Sequence, residues 1–332
     1  MKNFTRTAFN MVCQHLAKIN GAAAGSHAFN VQPTIQQNIE KAIQESSAFL
    51  SAILSIIVDE LEGEKIQVNS RGPLASRTHT KDGTPRKPVV PHELLANRYL
   101  LHKTNFDTFI DYETLDVWAK FPNFMELVRQ VAIVQQALDR IMIGWHGTKA
   151  AANTDIATNT LLEDVNVGWL AHIRTKAEAQ VKDEGNTIGE SGADYKNLDA
   201  LVFDVYHTYI KPMYRNGTEI VAIVGESILL DKYFPLINEN QPTEKIAADM
   251  IISQKRIGNL QAVQVPYFPE KSILLTPLNN LAIYSQNGKR RMAIKDKPEL
   301  DRIEFFESSN EGYVVQDYNR VALIENIEIK EE

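Results

Sequence analysis

Apolar residues recur at helical spacing along one long segment of the chain. Between residues 123 and 146 (NFMELVRQVAIVQQALDRIMIGWH) an apolar side chain returns every three or four positions, and Pro122 stands where a first helical turn tolerates proline. The spacing predicts a helix of about 22 residues, which is about 33 Å long at 1.5 Å per residue. We call it the spine helix. Its predicted core stripe consists of Leu127, Val131, Val134, Leu138, Ile141 and Trp145.

Strand patterns dominate the second half of the chain. The run EIVAIVG (219–225) is apolar and rich in β-branched residues, which is typical of a buried central strand. Helices are predicted over 161–180, 196–211 and 227–238, and strands over 260–265, 272–278, 281–286, 313–318 and 322–329. Helix, strand and helix in this order indicate a sheet with helices packed against it.

The first 28 residues form a basic segment without acidic residues. Phe9, Val12, Leu16 and Ile19 fall at helical spacing, which predicts a short amphipathic helix ending near Gly21. Small residues follow and have little to bury. An arm, a processed leader, a partner-binding helix and a frayed terminus all fit this pattern.

A proline-rich basic stretch follows the helix and strands predicted between residues 33 and 68. The sequence RGPLASRTHTKDGTPRKPVVPHELL (71–95) holds four prolines and almost no apolar periodicity. So long a stretch without structure is uncommon inside a compact domain. It is an extended loop held by another surface, a solvated loop or a nucleic-acid patch. No aromatic residue lies between Arg71 and Arg98, which disfavours binding of single-stranded nucleic acid by stacking.

Charge is distributed unevenly along the chain. The 332 residues are 44% hydrophobic and carry a net charge of −7, from 35 basic and 42 acidic side chains. This balance argues against a protein whose whole surface binds duplex nucleic acid, and the length suggests two domains at about 100 to 200 residues each. Residues 71–103 nevertheless carry +5, which leaves −12 on the rest.

Compartment signals favour the cytoplasm. No apolar run reaches the roughly 18 residues that cross a bilayer, and the start of the chain lacks the pattern of a secretory signal, so we expect no membrane association. Cys13 is the only cysteine, which excludes a disulfide framework and a cysteine-clustered zinc site.

A search for catalytic motifs predicts no catalytic, cofactor-binding or metal site. The chain lacks the G-x-x-x-x-G-K-[ST] phosphate loop and the G-x-S-x-G nucleophile turn, and its eight histidines show no zinc-site spacing. Two alternatives stay open at this point. One is an α/β enzyme built around 219–225, and the other is a nucleic-acid-binding protein that uses the basic stretch over 71–103.

Several runs, in order along nearly the whole chain, resemble the major capsid proteins of the P2-like (peduovirus) temperate tailed phages and related prophages. The most specific is AADMIISQKRIGNLQAVQVPYFP (247–269). The others are NGAAAG (20–25), IQESSAFL (43–50), GEKI (63–66), LDVWA (115–119), VGWL (167–170), LLDKYFPLIN (229–238), LDRIEFFES (300–308) and YVVQDY (313–318).

The resemblance implies an α+β chain with the HK97-type phage capsid fold. Its expected parts are an N-terminal arm that is in part a cleaved leader (1–33), a helix and strand (34–63), an extended loop (64–108), a peripheral domain with the spine helix (109–150), an axial domain whose central sheet is flanked by helices (151–297) and C-terminal strands of the peripheral domain (298–332). The basic stretch then becomes the extended loop, lying across a neighbouring subunit.

The resemblance also implies self-assembly without catalysis. Copies would form pentamers and hexamers of an icosahedral procapsid and virion shell around packaged double-stranded DNA, assembled in the cytoplasm of the host bacterium. The implied partners are other copies of the chain, a scaffolding and protease protein, and a portal protein at one vertex. Expected intersubunit residues are Arg71, Arg77, Lys81, Arg86, Lys87 and Arg98, and the expected processing window holds Gly21, Gly25, Phe29 and Asn30.

Overall fold

Two β-sheets and a long helix make up most of the fold. The computed structural model describes residues 6–7, 10, 13–14, 28–70, 74–83, 85–90, 92–118, 124–189, 192–215, 219–228 and 256–330. Helices in these ranges are α1 (Pro33–Glu45), α2 (Ala48–Ala52), α3 (Tyr112–Trp118), α4 (Phe124–His146), α5 (Trp169–Lys176) and α6 (Leu198–Tyr209).

Strands lie on both sides of these helices in the chain. They are β1 (Ala28–Asn30), β2 (Leu54–Val58), β3 (Glu62–Ser70), β4 (His92–Leu100), β5 (His102–Asn105), β6 (Thr108–Asp111), β7 (Val181–Lys182), β8 (Thr187–Ile188), β9 (Ile220–Val224), β10 (Arg256–Ile257), β11 (Leu260–Gln264), β12 (Ile273–Pro277), β13 (Leu281–Gln286), β14 (Arg291–Lys297), β15 (Arg302–Val315), β16 (Ala322–Ile324) and β17 (Glu328–Ile329).

The first sheet is organised around the long strand β15. Its strand order is β1-β14-β15-β13-β2, and β5 and β6 also pair with β15. β15 is antiparallel to β14 along its first half and to β13 along its second half. β2 joins at the far side, parallel to β13. One strand thus ties together elements from both ends of the chain.

The second sheet is buried on both faces at its centre. Its order is β10-β11-β9-β12-β16-β7, and every residue of β9 is buried, which confirms the predicted central strand. Val221 and Ile223 face a core shared with α1, α4 and α5. Ala222 and Val224 face a second core formed with α6. This alternation explains why the strand reads as one continuous apolar run.

The division between the two sheets differs from the predicted domain boundaries. β13 and β14 belong to the first sheet although they lie within 151–297, the predicted axial domain. β16 lies within 298–332, the predicted peripheral strands, and belongs to the second sheet. The chain crosses between the sheets more than once. Periodicity predicts a strand but does not indicate which sheet it joins, so a single boundary at 297 does not separate them.

The predicted helices agree best with the structure where a single helical period runs through the whole segment. α4 confirms the spine helix, and α6 lies within the helix predicted over 196–211. The helix predicted over 161–180 is shorter, because Asp164 accepts hydrogen bonds from the backbone of Asp155 at 2.8 Å and from the Asn159 side chain at 3.1 Å, which favours turns there. Beyond residue 228, the helix predicted over 227–238 lies outside the described residues.

Helices α4 and α5 approach each other through glycine. A Cβ added to Gly144 would lie 2.1 Å from the Cζ3 atom of Trp169, and one added to Gly168 would lie 2.4 Å from the carbonyl oxygen of Ile143. The space that these glycines leave is filled by aromatic rings. Trp145 and Trp169 lie 4.9 Å apart between ring centroids. Close packing at this crossing holds the end of the spine helix in the core.

A buried ionic cluster joins α1, α4 and the first sheet. It consists of Glu40, Arg140, Arg290, Glu307 and Glu311. Arg140 donates to Glu40 at 2.8 Å (Nη1 to Oε2) and to Glu311 at 3.0 Å (Nε to Oε2). Arg290 donates to Glu40 and, at 2.6 Å (Nε to Oε1), to Glu307. Glu40 therefore links the two arginines.

Burial makes this cluster sensitive to the loss of any member. The side chain of Arg290 is fully buried, and those of Arg140 and Glu40 are each 4% exposed. Burial alone would raise the pKa of Glu40, but attraction to Arg140 and Arg290 outweighs it and holds that pKa below its ordinary value. Burial lowers the pKa of Arg140, yet Glu311 and Glu40 raise it well above its ordinary value.

We expect Glu40→Gln to lower the free energy of unfolding by about 3 to 5 kcal/mol at neutral pH, because two buried arginines then lose a charged partner. The folded pKa of Glu40 is depressed. Its contribution is therefore fully present above the ordinary glutamate pKa of about 4.3 and is lost as the pH falls through the folded pKa. Urea unfolding should show that the difference in unfolding free energy between wild type and Glu40→Gln is smaller at about pH 3 than at neutral pH.

The matched control for that measurement is Glu45→Gln, at the end of the same helix. Among the described residues Glu45 forms an ion pair only with exposed Lys41, at 3.6 Å, so the variant should stay within about 0.5 kcal/mol of wild type. A deficit of Glu40→Gln that is constant with pH would contradict the assigned role of its charge.

Gly144→Ala tests the helix crossing. The added Cβ would overlap the Trp169 ring, and overpacking of this kind costs about 1 to 3 kcal/mol, whereas the gain in helix propensity is at most about 1 kcal/mol. Thermal unfolding should show a net loss of stability. Val131→Ala, at an exposed position on the same helix, should change stability by no more than about 0.5 kcal/mol. A stabilised Gly144→Ala variant would disprove the tight crossing.

Candidate intersubunit surface

A two-stranded hairpin formed by β3 and β4 stands apart from both sheets. Nine residue pairs connect its strands, from Glu62 opposite Leu100 to Ser70 opposite His92. Within the described chain these strands pair only with each other. Nine residues at about 3.4 Å each make the hairpin about 30 Å long. The predicted extended loop over 64–108 is thus a hairpin that ends near Leu100, and β5 and β6 return to the first sheet.

The base of the hairpin is anchored to the first sheet. The rings of Tyr99 and Tyr284 meet edge to face at a centroid distance of 5.1 Å, and the ammonium of Lys65 donates to the carbonyl oxygen of Gln316. Lys176 donates to the Arg98 carbonyl oxygen at 3.2 Å. Burial lowers the pKa of Lys65 to about 8, although Asp317 opposes the shift. These contacts fix the direction in which the hairpin leaves the subunit.

The far end of the hairpin is exposed, basic and partly apolar. A short turn at Thr80–Asp82 closes it, with His79 bonded to Asp82 at 2.8 Å. We call its exposed residues the basic tip: Leu74, Arg77, Lys81, Arg86, Lys87, Val89 and Val90. Among the residues that the structure describes, no carboxylate pairs with the four cations of the basic tip. The tip therefore presents charge and apolar surface that its own subunit leaves unused.

Two of the predicted intersubunit residues are not part of the basic tip. Arg98 lies at the base of the hairpin, where it pairs with Glu64 at 3.2 Å. Arg71 lies outside the described residues. The prediction grouped Arg98 with the others because they share a basic stretch of sequence, but the antiparallel ladder returns the chain to the base before that residue.

The spine helix buries only the C-terminal part of the predicted stripe. Ile141 and Trp145 are buried as expected, and Leu138 is half-buried. Val131 and Val134, however, are 70% and 45% exposed, and so do not join the core of the subunit. The side chain of Leu127 lies outside the described part of the chain.

Polar residues explain this shift of the buried face. Gln136 and Arg140 are buried because they bond to Arg290 at 2.9 Å and to Glu40, respectively. An apolar stripe in the sequence assigns such residues to the outside. The ionic cluster turns them inward instead, so the middle of the helix is buried on the side away from Val131 and Val134, and the predicted stripe is buried only further along, at Ile141 and Trp145.

Described parts of the N-terminal segment pack on the body of the subunit. Arg6 donates to Asp296 at 2.6 Å, and Cys13 is buried with Tyr112 and Ile294. Burial raises the pKa of the Cys13 thiol to about 11. The segment thus adds to the packing of the first sheet.

The processing window is only partly described. Phe29 and Asn30 lie in β1, where they pair with Met292 and Arg291 of β14. Gly21 and Gly25 fall outside the described residues. A protease binds its substrate as a separate extended segment, whereas β1 is paired with β14. Cleavage at Phe29 or Asn30 would therefore first need β1 to detach from the sheet.

An acidic turn near the base of the hairpin was missed by the sequence analysis. Asp59, Glu60 and Glu62 are exposed between β2 and β3, with exposed Leu61 among them. The signal in the sequence is the run DELEGE (59–64), whose carboxylates by themselves do not distinguish a solvated turn from a contact surface.

A shallow groove of about 640 Å³ lies over β1, β5, β14 and β15. Its carboxylates already have structural partners, since Asp107 accepts from the Glu307 backbone at 3.2 Å and Glu307 pairs with Arg290. In the described ranges no group of three His, Cys, Asp or Glu side chains could hold a metal ion. None of the described helices is long and apolar enough to cross a membrane.

Sequence comparison places the chain among capsid proteins. Residues 8–327 match the family described as "Phage major capsid protein, P2 family". The chain is 44% identical to the "Capsid proteins" of Escherichia phage P2 over 342 residues, which cover 99% of this chain and 96% of the relative. It is 38% identical to the "Major capsid protein" of Serratia phage KSP20, over 98% of this chain and 97% of that one.

Comparison with solved structures also finds phage capsid proteins. A chain of the "Satellite phage P4 procapsid including size determination (Sid) protein" matches with a TM-score of 0.81 and 41% identity, over 100% of this chain and 99% of that chain. The "Capsid of empty GTA particle" matches with a TM-score of 0.54 and 11% identity, over 84% and 89% of the two chains, and shares the fold. The α+β architecture is the HK97-type capsid fold. The chain therefore belongs to the P2 family of phage major capsid proteins, which are structural components of the virion and not enzymes.

Proposed function

We propose that copies of this chain assemble into pentamers and hexamers, which close into an icosahedral shell around packaged double-stranded DNA. The observation that carries this proposal is the hairpin, whose exposed basic tip finds no charged partner in the described part of its own subunit. Contacts between two different surfaces of identical subunits close into rings when the rotation permits, and many small interfaces sum to a stable container.

The construction of the hairpin supports a role between subunits. A two-stranded hairpin is marginally stable in water, and this one is anchored only at its base among the described contacts. A neighbouring subunit that covers the strands and the tip would supply the missing contacts. Its surface would be acidic, because the tip carries four cations and residues outside 71–103 carry a net charge of −12.

The exposed side of the spine helix supports a second contact. Val131 and Val134 lie one turn apart on the spine helix, and both are exposed. Adjacent exposed apolar residues on a helix are typical of an interaction surface. We propose that a partner covers this stripe in the assembled particle.

Further partners follow from the family. The P4 procapsid, which is similar in structure, includes a size determination protein, which supports an assembly-directing partner for this chain as well. We propose that a scaffolding and protease protein binds the subunit before maturation, that a portal protein occupies one vertex, and that assembly takes place in the host cytoplasm. Cleavage would fall within the window from Gly21 to Asn30.

Electron microscopy of the expressed chain tests the central proposal. Expression with and without the scaffolding protein of the same phage should yield shells or rings in at least one case. A compact monomer under both conditions and across protein concentrations would contradict the proposed function.

We expect Arg86→Gln combined with Lys87→Gln to reduce assembly while leaving the folding of the subunit unchanged. Both side chains are exposed at the basic tip, and surface substitutions usually change stability by less than about 0.5 kcal/mol. Sedimentation measures assembled particles, and thermal unfolding of the dissociated subunit measures folding. The control is Lys41→Gln with Lys149→Gln, which removes the same charge elsewhere. Equal effects of both pairs, or unfolding of the tip variant, would contradict a specific role for the tip.

Val131→Asp should lower the yield of assembled shells more than it lowers the unfolding free energy of the subunit, because a charge would enter an apolar contact that forms only between molecules. Val131→Pro, in contrast, should unfold the spine helix at a cost of about 3 kcal/mol or more. Circular dichroism separates the two effects, and electron microscopy counts shells. Gln130→Asp, at the neighbouring exposed position, is the control. Normal shells from Val131→Asp would show that the stripe stays open in the particle.

A further inference from the structure

One edge of the first sheet carries an acidic and apolar surface that the fold leaves uncovered. β2 is the last strand of this sheet, and among the described strands it pairs only with β13. Open sheet edges tend to recruit another chain, so proteins usually shorten, charge or cover them. Leu54 in this strand and Leu61 in the following turn are 38% and 44% exposed.

The turn that follows β2 supplies the charge. Asp59, Glu60 and Glu62 are exposed, and no cation pairs with them in the part of the chain that the structure describes. Asp59 is held in place because Asn287 donates to it at 2.9 Å and Gln286 donates to its carbonyl oxygen at 3.0 Å. We call this surface the acidic edge; it consists of Leu54, Asp59, Glu60, Leu61 and Glu62.

The acidic edge and the basic tip are complementary in two respects. Three carboxylates oppose the four cations of the tip, and the exposed leucines of the edge match the exposed Leu74, Val89 and Val90 of the tip. Opposite charge gives such a contact its register and specificity, and the apolar area gives it affinity.

The hairpin itself prevents the two surfaces from meeting within one molecule. The acidic edge lies at the base of the hairpin, where its residue Glu62 pairs with Leu100. The basic tip lies beyond the pair of Ser70 and His92, at the other end of the ladder. Nine extended residues separate them by about 30 Å, which exceeds the Debye length of about 8 Å at physiological ionic strength. The attraction can therefore be satisfied only between molecules.

We propose that the basic tip of one subunit docks on the acidic edge of a second copy of this chain. The contact is head to tail, since two different surfaces meet. The subunit that donates its tip keeps a free edge, and the subunit that receives it keeps a free tip, so further copies can continue the series. The proposal rests on the proposed function, to which it adds the receiving surface.

Charge exchange tests the pairing. Arg86→Glu with Lys87→Glu should reduce assembly at least about tenfold, and Glu60→Lys with Glu62→Lys should do the same. Combining the four substitutions in one chain restores opposite charges at the contact and should restore assembly. The matched control combines the tip pair with Glu184→Lys and Glu328→Lys, which gives the same net charge at exposed positions that belong neither to the first sheet nor to the hairpin, and it should not restore assembly.

Cysteine cross-linking gives an independent measurement. Leu61→Cys and Val89→Cys chains, mixed and oxidised, should form a mixed dimer, while neither alone should cross-link. Cross-linking of Val89→Cys to itself would show that tips meet each other and would overturn the proposal. The buried Cys13 is common to all variants, and the wild-type chain controls for it.

The outcomes separate the two proposals. If the tip variant fails to assemble but Glu60→Lys with Glu62→Lys assembles normally, the acidic edge is not the receiving surface, and self-assembly through the hairpin still stands. If the wild-type chain forms no assembly and the mixed Leu61→Cys and Val89→Cys chains form no cross-link, both are contradicted. Thermal unfolding of each variant excludes misfolding as the cause of a failure.

Discussion

The ionic cluster is the constraint on which the arrangement of the subunit depends. Glu40 lies on α1, Arg140 on α4 and Glu311 on β15, and each buried charge is compensated only when all three elements meet in one register. A misplaced helix would leave a charge buried without a partner, which is strongly unfavourable. The cluster therefore decides which side of the middle of the spine helix faces the subunit, and with it the side that the subunit presents to others.

This arrangement has a consequence for assembly. With Gln136 and Arg140 inside, Val131 and Val134 are outside, and this part of the helix belongs to the surface of the subunit. The hairpin is similarly incomplete, because its base is anchored and its tip is not. Both features are unfavourable for a subunit alone and useful for one whose partners are copies of itself. This agrees with the capsid family to which the chain belongs.

Much of the architecture could be predicted from the sequence, though less of the surface. The spine helix and the buried strand β9 have one dominant period each, and the basic stretch stands out in an acidic chain, so these predictions agree with the structure. The predicted core position of Val131 was wrong, because polar Arg140 is buried by pairing that no local pattern reveals. The acidic turn at Asp59 was overlooked, since an isolated run of carboxylates looks like any solvated loop until its neighbours are known.

The sequence by itself determined which segments become helices and strands, how charge is divided along the chain, and which family the chain resembles. These properties depend on residues a few positions apart. The tertiary structure alone decided which sheet each strand joins, which face of the spine helix is buried, and that the acidic edge and the basic tip lie at opposite ends of one hairpin. These depend on contacts such as Glu40 with Arg140 and Arg290, which are 100 and 250 positions away, and no local period encodes such contacts.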